Sequence, residues 1–486
     1  MTPAEAQRAK TFVLALLAMA QFVVVLDASI VNVALPSIGR ALDFAQDDLS
    51  WVVNAYTLVF GGFLLLGGRL ADLLGRRRMF VYGMWLFALA SLVGGLAQSD
   101  VMLIAARAVQ GLGAALISPA ALAILTTTFA EGSERNKALG VWGAVAGSGG
   151  AVGVLLGGML TEWAGWEWVL FVNVPIGIAA ALVAPRLLDE SRDESSPSFD
   201  IAGAVSVTAG LALLVYTLVD ANNAGWGSTQ TVVLGVLSLV LLTAFVLIER
   251  RRRYPLVPFS IFRLRTLRGA NVIGLLLGMS LFAMFFFISL YMQQVMGYEP
   301  LKAGLAYLPL AGLIIVSAGG ASQLVARFGF KPVLVAGLVL VAGGLYWFSH
   351  VSAPGGTYVG DVLFPSMLAA VGLGLSFVPV TIAAVTGTKP SEAGLASGLI
   401  NTSQQVGGAL GLAVLATIST GRTDDVFAGG ERNAGIALTE GFQDAFLAGA
   451  VIAVVGALLA AVLISSRDSR EMAEAARRGE AAPVAA

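Results

Sequence analysis

Two ionisable side chains, Asp27 and Arg107, lie deep inside long apolar stretches of the chain and offer it the most chemistry. A charge buried in a membrane-length apolar helix costs several kcal/mol on insertion scales, so each is a functional candidate by default. Asp27 sits seven residues before the end of its stretch and Arg107 seven residues into its own. Both therefore lie roughly 10 Å below the same surface and can meet. Burial raises the pKa of a carboxyl group and a neighbouring guanidinium lowers it, so a modest rearrangement between such partners would move a proton on or off near neutral pH. A proton-coupled carrier needs that behaviour; the alternative is a structural ion pair that never titrates. Gln21, near Asp27, and Gln110, beside Arg107, point to a wet cavity rather than a sealed pair.

Three further groups of residues invite a role. Gly68, Asp72, Gly75, Arg76, Arg77 and Arg78 form a short hairpin between two apolar stretches. Gly75 permits a tight turn, Asp72 is placed to engage a helix N-terminus or an arginine, and the basic cluster can bind carboxylates, so the hairpin could lock one conformation. Plain topology determination by the arginines is the alternative. Gly149, Gly153 and Gly157, with Gly158, form a stripe at intervals of four that lets backbones approach closely, either as ordinary packing or as a pivot. Asn54, Tyr56, Trp142, Asn173, Phe285 to Phe287 (Phe286 foremost), Tyr291, Gln293, Gln294, Phe377, Asn401, Gln404 and Gln405, together with Gln21 and Gln110, could line an apolar chamber with scattered hydrogen-bonding groups. Such a chamber suits amphipathic organic molecules, and core or interfacial packing is the alternative for each residue.

The chain has no cysteine, a single histidine (His350), no catalytic triad or metal-ligand cluster, and no lysine following a Gly-rich loop. No enzyme activity, metal, cofactor or nucleotide is therefore expected, and ATP is excluded as the energy source.

The elements that must position these residues follow from composition. Of 486 residues 57% are apolar and 12% charged, against roughly 25% charged in a soluble domain. Apolar stretches predict fourteen membrane-spanning helices, near 11–34, 49–69, 79–98, 101–125, 136–160, 167–186, 200–220, 229–249, 270–293, 303–326, 331–350, 361–385, 395–418 and 443–465. With a cytoplasmic N-terminus, 24 of the 29 Lys and Arg fall in inside segments and four (Arg40, Lys302, Arg422, Arg432) outside, which predicts both termini in the cytoplasm. The chain also echoes itself: GGRLADLLGRRR (67–78) returns 254 residues later as ASQLVARFGFKP (321–332), and the same offset carries Gly153 and Gly157 onto Gly407 and Gly411. Two parallel copies separated by an even number of spans describe six helices, two inserted, then six, an arrangement transporters use to build a central site. The expected units are an N-terminal bundle (1–190), the inserted spans 7 and 8 with a basic amphipathic linker (191–268), a C-terminal bundle (269–466) and a frayed cytoplasmic tail (467–486).

LDASIVNVALP (26–36), GRLADLLGRRR (68–78), RAVQGLGAA (107–115) and the Gly-rich fifth span resemble, in order and spacing, the signature motifs of the major facilitator superfamily. GWEWVLFVNVPIG (165–177), EAGLASGLINTSQQVGGALGLA (392–413) and the fourteen-span layout narrow the resemblance to its fourteen-helix drug:proton antiporter family, over essentially the whole chain. The resemblance implies an all-α membrane protein of two six-helix bundles that exports lipophilic drug-like compounds against inward protons by alternating access. It implies Asp27 as the proton site, Arg107 as its coupling partner and the 68–78 loop as the cytoplasmic gate. Two departures stand out: the prolines that usually follow the paired glycines of span 5 are here Gly150 and Val154, and span 13 offers Gln404 and Gln405 where members that expel dications can carry acids. Monocationic, zwitterionic or neutral substrates are thus expected, exported by a monomer in a bacterial cytoplasmic (inner) membrane with no nucleic-acid partner. A dedicated exporter of one metabolite or antibiotic is the nearer alternative, and a non-transporting membrane sensor the more distant one.

Overall fold

In lipid a backbone must satisfy its own hydrogen bonds within each crossing segment, and the apolar stretches accordingly fold as helices. The computed structural model describes residues 3–44, 51–130, 133–192, 200–252, 255, 257–353, 355–389 and 392–478. In chain order the helices are α1 (Pro3–Ala41), α2 (Trp51–Leu74), α3 (Arg76–Gly95), α4 (Asp100–Thr128), α5 (Ser133–Trp163), α6 (Trp168–Phe171), α7 (Asn173–Leu187), α8 (Ile201–Ala224), α9 (Thr229–Arg251), α10 (Arg265–Leu290), α11 (Pro300–Ala306), α12 (Leu308–Phe328), α13 (Phe330–Phe348), α14 (Phe364–Val385), α15 (Ala393–Ala428), α16 (Ala434–Leu463) and α17 (Ser466–Arg478). Wider π-helical turns extend α10 through Tyr291–Val295 and precede α14 at Tyr358–Leu363.

Among the described residues eleven helices are long and apolar enough to cross a membrane, and twelve when the two halves of α5 count as one bent span. The other two predicted spans are α8, whose apolar part is the shorter Ala202–Leu218, and α15, where Gln404 and Gln405 interrupt the apolar run. The predicted sixth span is one crossing, Trp168–Leu187, in which α6 and α7 adjoin at Val172; that residue keeps helical φ and ψ (−58° and −29°) and donates to the Trp168 carbonyl at 3.1 Å. Pro175 cannot donate a backbone hydrogen bond to the preceding turn, which leaves the helix ladder one bond short there.

Helices α1 to α7 pack as one bundle and α10 to α16 as a second. The echo in the sequence is an echo in packing. A Cβ added at Gly153 or Gly157 would strike the carbonyls of Leu26 and Ile30 on α1, and one at Gly407 or Gly411 would strike the backbone of Leu275 and Met279 on α10. The bundles meet where α5 lies on α12 and α14 and where α15 lies on α2 and α4. The inserted α8 packs on α2 and on α15, flanking this seam: Ala212 sits against Gly62, Tyr216 stacks on Trp51 with centroids 5.5 Å apart, and the Trp226 indole donates to Thr417 of α15 at 2.7 Å. Helix α9 covers α8 from the outside, with the Ser238 hydroxyl donating to the Gly210 carbonyl at 2.9 Å.

The tail differs from the frayed segment expected. Residues 466–478 form helix α17, docked under α12 and α13 with Met472, Ala473 and Ala475 buried, while 479–486 lie outside the described residues. Its alanines and methionine fall on one face and its charges on the other, so the helix is amphipathic and has a bundle end to cover. Residues 193–199 of the polar segment before α8 also lie outside the described residues. Part of the basic linker forms a short 3-10 turn, Phe259–Arg263, with Val257 and Ile261 buried against the bundle.

Candidate functional site

Asp27 and Arg107 face each other across α1 and α4, with Arg107 Nη1 2.5 Å from Asp27 Oδ2 and neither side chain exposed. The glycine stripe of α5 is what seats α1. Gly149, Gly153 and Gly157 lie against Val25, Leu26, Ser29 and Ile30, so that surface of α1 is taken up by α5 while Asp27 engages α4. Helix α5 bends by 44° between Gly150 and Val152, beside this contact, without a proline. Adjacent glycines are a recognised cause of such a bend, and a Cβ at Gly150 would meet nothing within 4 Å.

Around the pair is a closed hydrogen-bond cluster. Asp27 Oδ1 accepts from Asn173 Nδ2 at 2.7 Å and from Gln110 Nε2 at 3.1 Å. Gln110 also donates to Ser91 Oγ at 2.6 Å and accepts from Arg107 Nη1 at 3.0 Å. Arg107 Nε donates to the Val52 carbonyl at 2.9 Å, and its guanidinium lies 4.5 Å from the centre of the Tyr56 ring, whose hydroxyl donates to the Val24 carbonyl at 3.0 Å. Asp27, Arg107, Gln110, Asn173 and Ser91 are all fully buried. Of the two glutamines expected to mark a wet cavity, Gln110 joins this buried cluster, and Gln21 instead accepts from Ser118 Oγ at 3.0 Å, about two turns of α1 nearer its N-terminus. Removing two charges from water is repaid only where further hydrogen bonds satisfy them; three donors do so for the carboxylate, while Arg107 Nη2 is buried without a hydrogen-bond partner.

At the opposite, arginine-rich face, Asp72 engages both of the partners expected of it. Its Oδ1 accepts from Arg76 Nε at 3.0 Å and Nη2 at 2.8 Å, and its Oδ2 accepts from the backbone N–H of Leu395 at 3.0 Å, in the first turn of α15 from the other bundle. A carboxylate at a helix N-terminus satisfies orphan donors and complements the helix dipole. Gly140 against Ser322 and Gly143 against Val378 bring α5 onto α12 and α14 at the same face, which is closed.

The two copies of this loop are held alike. Gly75 adopts φ 113°, Glu190 lies where its Cβ would be, and Glu190 Oε1 accepts from the Arg77 N–H at 3.1 Å. At the same offset of 254 residues, Gly329 adopts φ 85°, Ser469 of α17 lies where its Cβ would be, and Ser469 Oγ accepts from the Lys331 N–H at 3.0 Å. Each loop is capped by the segment that follows the last helix of its own bundle. The caps predict matched costs: Glu190→Ala and Ser469→Ala should each lower unfolding stability by about 1 kcal/mol, while Glu190→Gln, which keeps an acceptor, should lower it by about 0.5 kcal/mol or less. Chemical unfolding of the purified protein in detergent measures this.

The remaining candidates scatter. Tyr56 and Asn173, expected to line a substrate chamber, belong to the Asp27 cluster. Tyr291 is corrected to a structural peg, buried with its hydroxyl donating to the Ser352 carbonyl at 2.9 Å, since a tyrosine at a helix end can bury its ring and satisfy its hydroxyl on the adjoining loop. Trp142 and Phe377 are buried where α5 meets α14. Phe286 is 41% exposed and Gln294 is exposed, both toward the end of α10 remote from the arginine-rich face. Asn54, Asn401, Gln404 and Gln405 are half-buried on α2 and α15, Gln405 where α2, α8 and α15 converge near Gly61. Two members of the Asp27 cluster, Ser91 and the Val52 carbonyl, carry no signal in the sequence: one is a lone hydroxyl in an apolar run and the other a backbone group.

The sequence model of the Major Facilitator Superfamily matches residues 17–412. The chain is 42% identical to the cephamycin export protein CmcT of Amycolatopsis lactamdurans, over 93% of this chain and 92% of that one. It is 40% identical to the puromycin resistance protein pur8 of Streptomyces alboniger, over 92% and 90%. Among solved structures it superposes on the human organic anion transporter MFSD10 with a TM-score of 0.66 at 16% identity, covering 93% of this chain and 99% of that one.

Proposed function

Because this chain belongs to the Major Facilitator Superfamily, with relatives that export or confer resistance to antibiotics, we propose that it is a secondary exporter of lipophilic drug-like compounds, driven by inward protons and using no ATP or other cofactor. The observation that carries the reading is the buried Asp27–Arg107 pair with its amide partners, an acid and a base brought together deep among the membrane-length helices. In this scheme the arginine-rich face is cytoplasmic, both termini lie on it, the membrane is the bacterial cytoplasmic membrane, and one chain with both bundles is the working unit. Asp72 on the first turn of α15 is the cytoplasmic gate in its closed state, and α5, which touches both bundles, is the pivot. Asn54, Asn401, Gln404 and Gln405 lie along the substrate path. With no acid among them, that path favours monocationic, zwitterionic or neutral compounds.

The test is transport in proteoliposomes under an imposed pH difference, with a panel of unrelated lipophilic dyes and antibiotics. Uptake of several compounds, mutually competing and abolished when the gradient is collapsed, is the expected result. Acceptance of a single compound would favour a dedicated exporter instead, a reading supported by relatives named for single antibiotics, cephamycin, puromycin and lincomycin. Absence of any transport would overturn both.

A further inference from the structure

Asp27 must be hydrogen-bonded in two protonation states, and its three partners differ in what they can offer. Ionised, it accepts from Arg107, Gln110 and Asn173. Protonated, its new O–H needs an acceptor. Arg107 has only donors. Gln110 has its carbonyl occupied by Arg107 and its amide nitrogen shared with Ser91, so it is fixed in orientation. Asn173 is different. Its nitrogen donates to Asp27 Oδ1, while its own Oδ1 is buried with no hydrogen-bond partner.

We propose that Asn173 is the positioning residue that lets Asp27 change protonation state, its amide donating to the carboxylate and turning over to accept from the carboxylic acid. This rests on the proton-coupling reading above. When Asp27 Oδ1 takes a proton from a hydronium ion, its O–H bond forms as the carrier's O–H bond breaks, leaving water. Rotation of the amide about its last side-chain bond then brings the idle carbonyl to the new O–H. Gln110, held by Arg107 and Ser91, stays in place and can keep its second N–H on the carboxyl oxygen, since a protonated oxygen still accepts. An unpaired buried acceptor is costly in a low-dielectric site; the turn satisfies it and the new O–H together, while the amide N–H released from Asp27 then needs an acceptor of its own.

The position of Asn173 gives the turnover a mechanical consequence. It is the first residue of α7, two residues before Pro175. With no N–H at Pro175 the ladder is one bond short beside the proton site, and a change of side-chain partner there disturbs fewer backbone hydrogen bonds. The charged and titratable groups facing Asp27 are Arg107 from α4 and Tyr56 from α2. Helix α5 presents glycines to this stretch of α1, and α7 presents the neutral Asn173.

The test is a pH titration of the purified full-length protein by difference infrared spectroscopy, the carboxylic acid band missing in Asp27→Asn being that of Asp27. A hydrogen bond to a charged acceptor is worth more than one to a neutral group, so Asn173→Leu should move the midpoint upward by about one pH unit. Its acid band should also shift to higher frequency, because the O–H has lost its acceptor. Asn173→Ser, which can donate and accept, should recover part of both effects. In the wild type with isotope-labelled asparagine, an amide band should change with the same midpoint and be absent in Asn173→Ser, a readout that does not depend on Asn173→Leu folding. An unmoved midpoint and an unchanged amide band would overturn the proposal. If Asp27→Asn kept proton-coupled transport, the coupling reading itself would fail. If Asp27→Asn lost coupling while the Asn173 variants changed nothing, this inference alone would fail.

Discussion

Asp27→Asn should abolish the uphill component of transport. One proton exchanged per substrate across a difference of one pH unit sustains about a tenfold substrate gradient, and a membrane potential adds about 2.3 kcal/mol per 100 mV for each net charge moved. A carrier whose buried carboxyl group is replaced by an amide has nothing at this site to load, and its accumulation ratio should fall to unity. Downhill exchange of labelled substrate should survive, because the introduced amide has nearly the shape of the carboxyl group and keeps an acceptor for Arg107. The measurement is the steady-state gradient in proteoliposomes under a fixed pH difference, beside counterflow at equal pH. A variant that still concentrates substrate would show that the proton is carried elsewhere.

The second large effect is on stability. Arg107→Ala removes the guanidinium from a carboxylate with no solvent exposure, and breaking one side of a buried pair costs about 3–5 kcal/mol, much of it the penalty of the stranded charge. The stacking on Tyr56 and the bond to the Val52 carbonyl are lost with it. The deficit should be largest at neutral pH and smaller in acid, where Asp27 can carry a proton. Combining Arg107→Ala with Asp27→Asn should recover most of it, because no charge is then stranded, and the double variant should be more stable than Arg107→Ala alone. Unfolding of the four proteins in detergent at two pH values closes this cycle. Equal losses in the single and double variants would mean that Arg107 acts through packing rather than charge.

Much of this architecture is legible in the residues, for physical reasons that also mark where legibility stops. A bilayer fixes the length of a spanning helix, and arginines mark one face, so α1 to α5, α9, α10 and α12 to α14 can be read from apolar runs. Depth along a helix is simple arithmetic, which is why Asp27 and Arg107 can be paired although 80 residues separate them. The same arithmetic reaches Asn173, the one polar residue of Val169 to Gly177, which lies at a comparable depth in its own span. Asn54 and Tyr56 share that depth, so depth alone does not separate Asn173 from the other candidate cavity polars. Whether a buried amide faces a water-filled chamber or a carboxylate depends on side-chain direction in a bundle of helices. Spacing does not carry that direction, and so the sequence alone puts Gln110, Tyr56 and Asn173 on chamber walls. The place of α8 depends on contacts with α2 and α15 that no local pattern encodes. The docking of α17 is legible in principle: its alanines fall on one face, and the Gly329 turn above it repeats the Gly75 turn above Glu190.

The central claim is that substrate and proton exchange through Asp27. It is tested most directly by recording substrate entry and lumenal pH together in proteoliposomes loaded with a pH-sensitive dye, starting with no gradient of either and adding one accepted lipophilic compound from the panel. The account predicts that substrate entering one way drives protons out the other way in the wild type, and that Asp27→Asn carries substrate with no proton movement. Substrate entry in the wild type without any change of lumenal pH would contradict it.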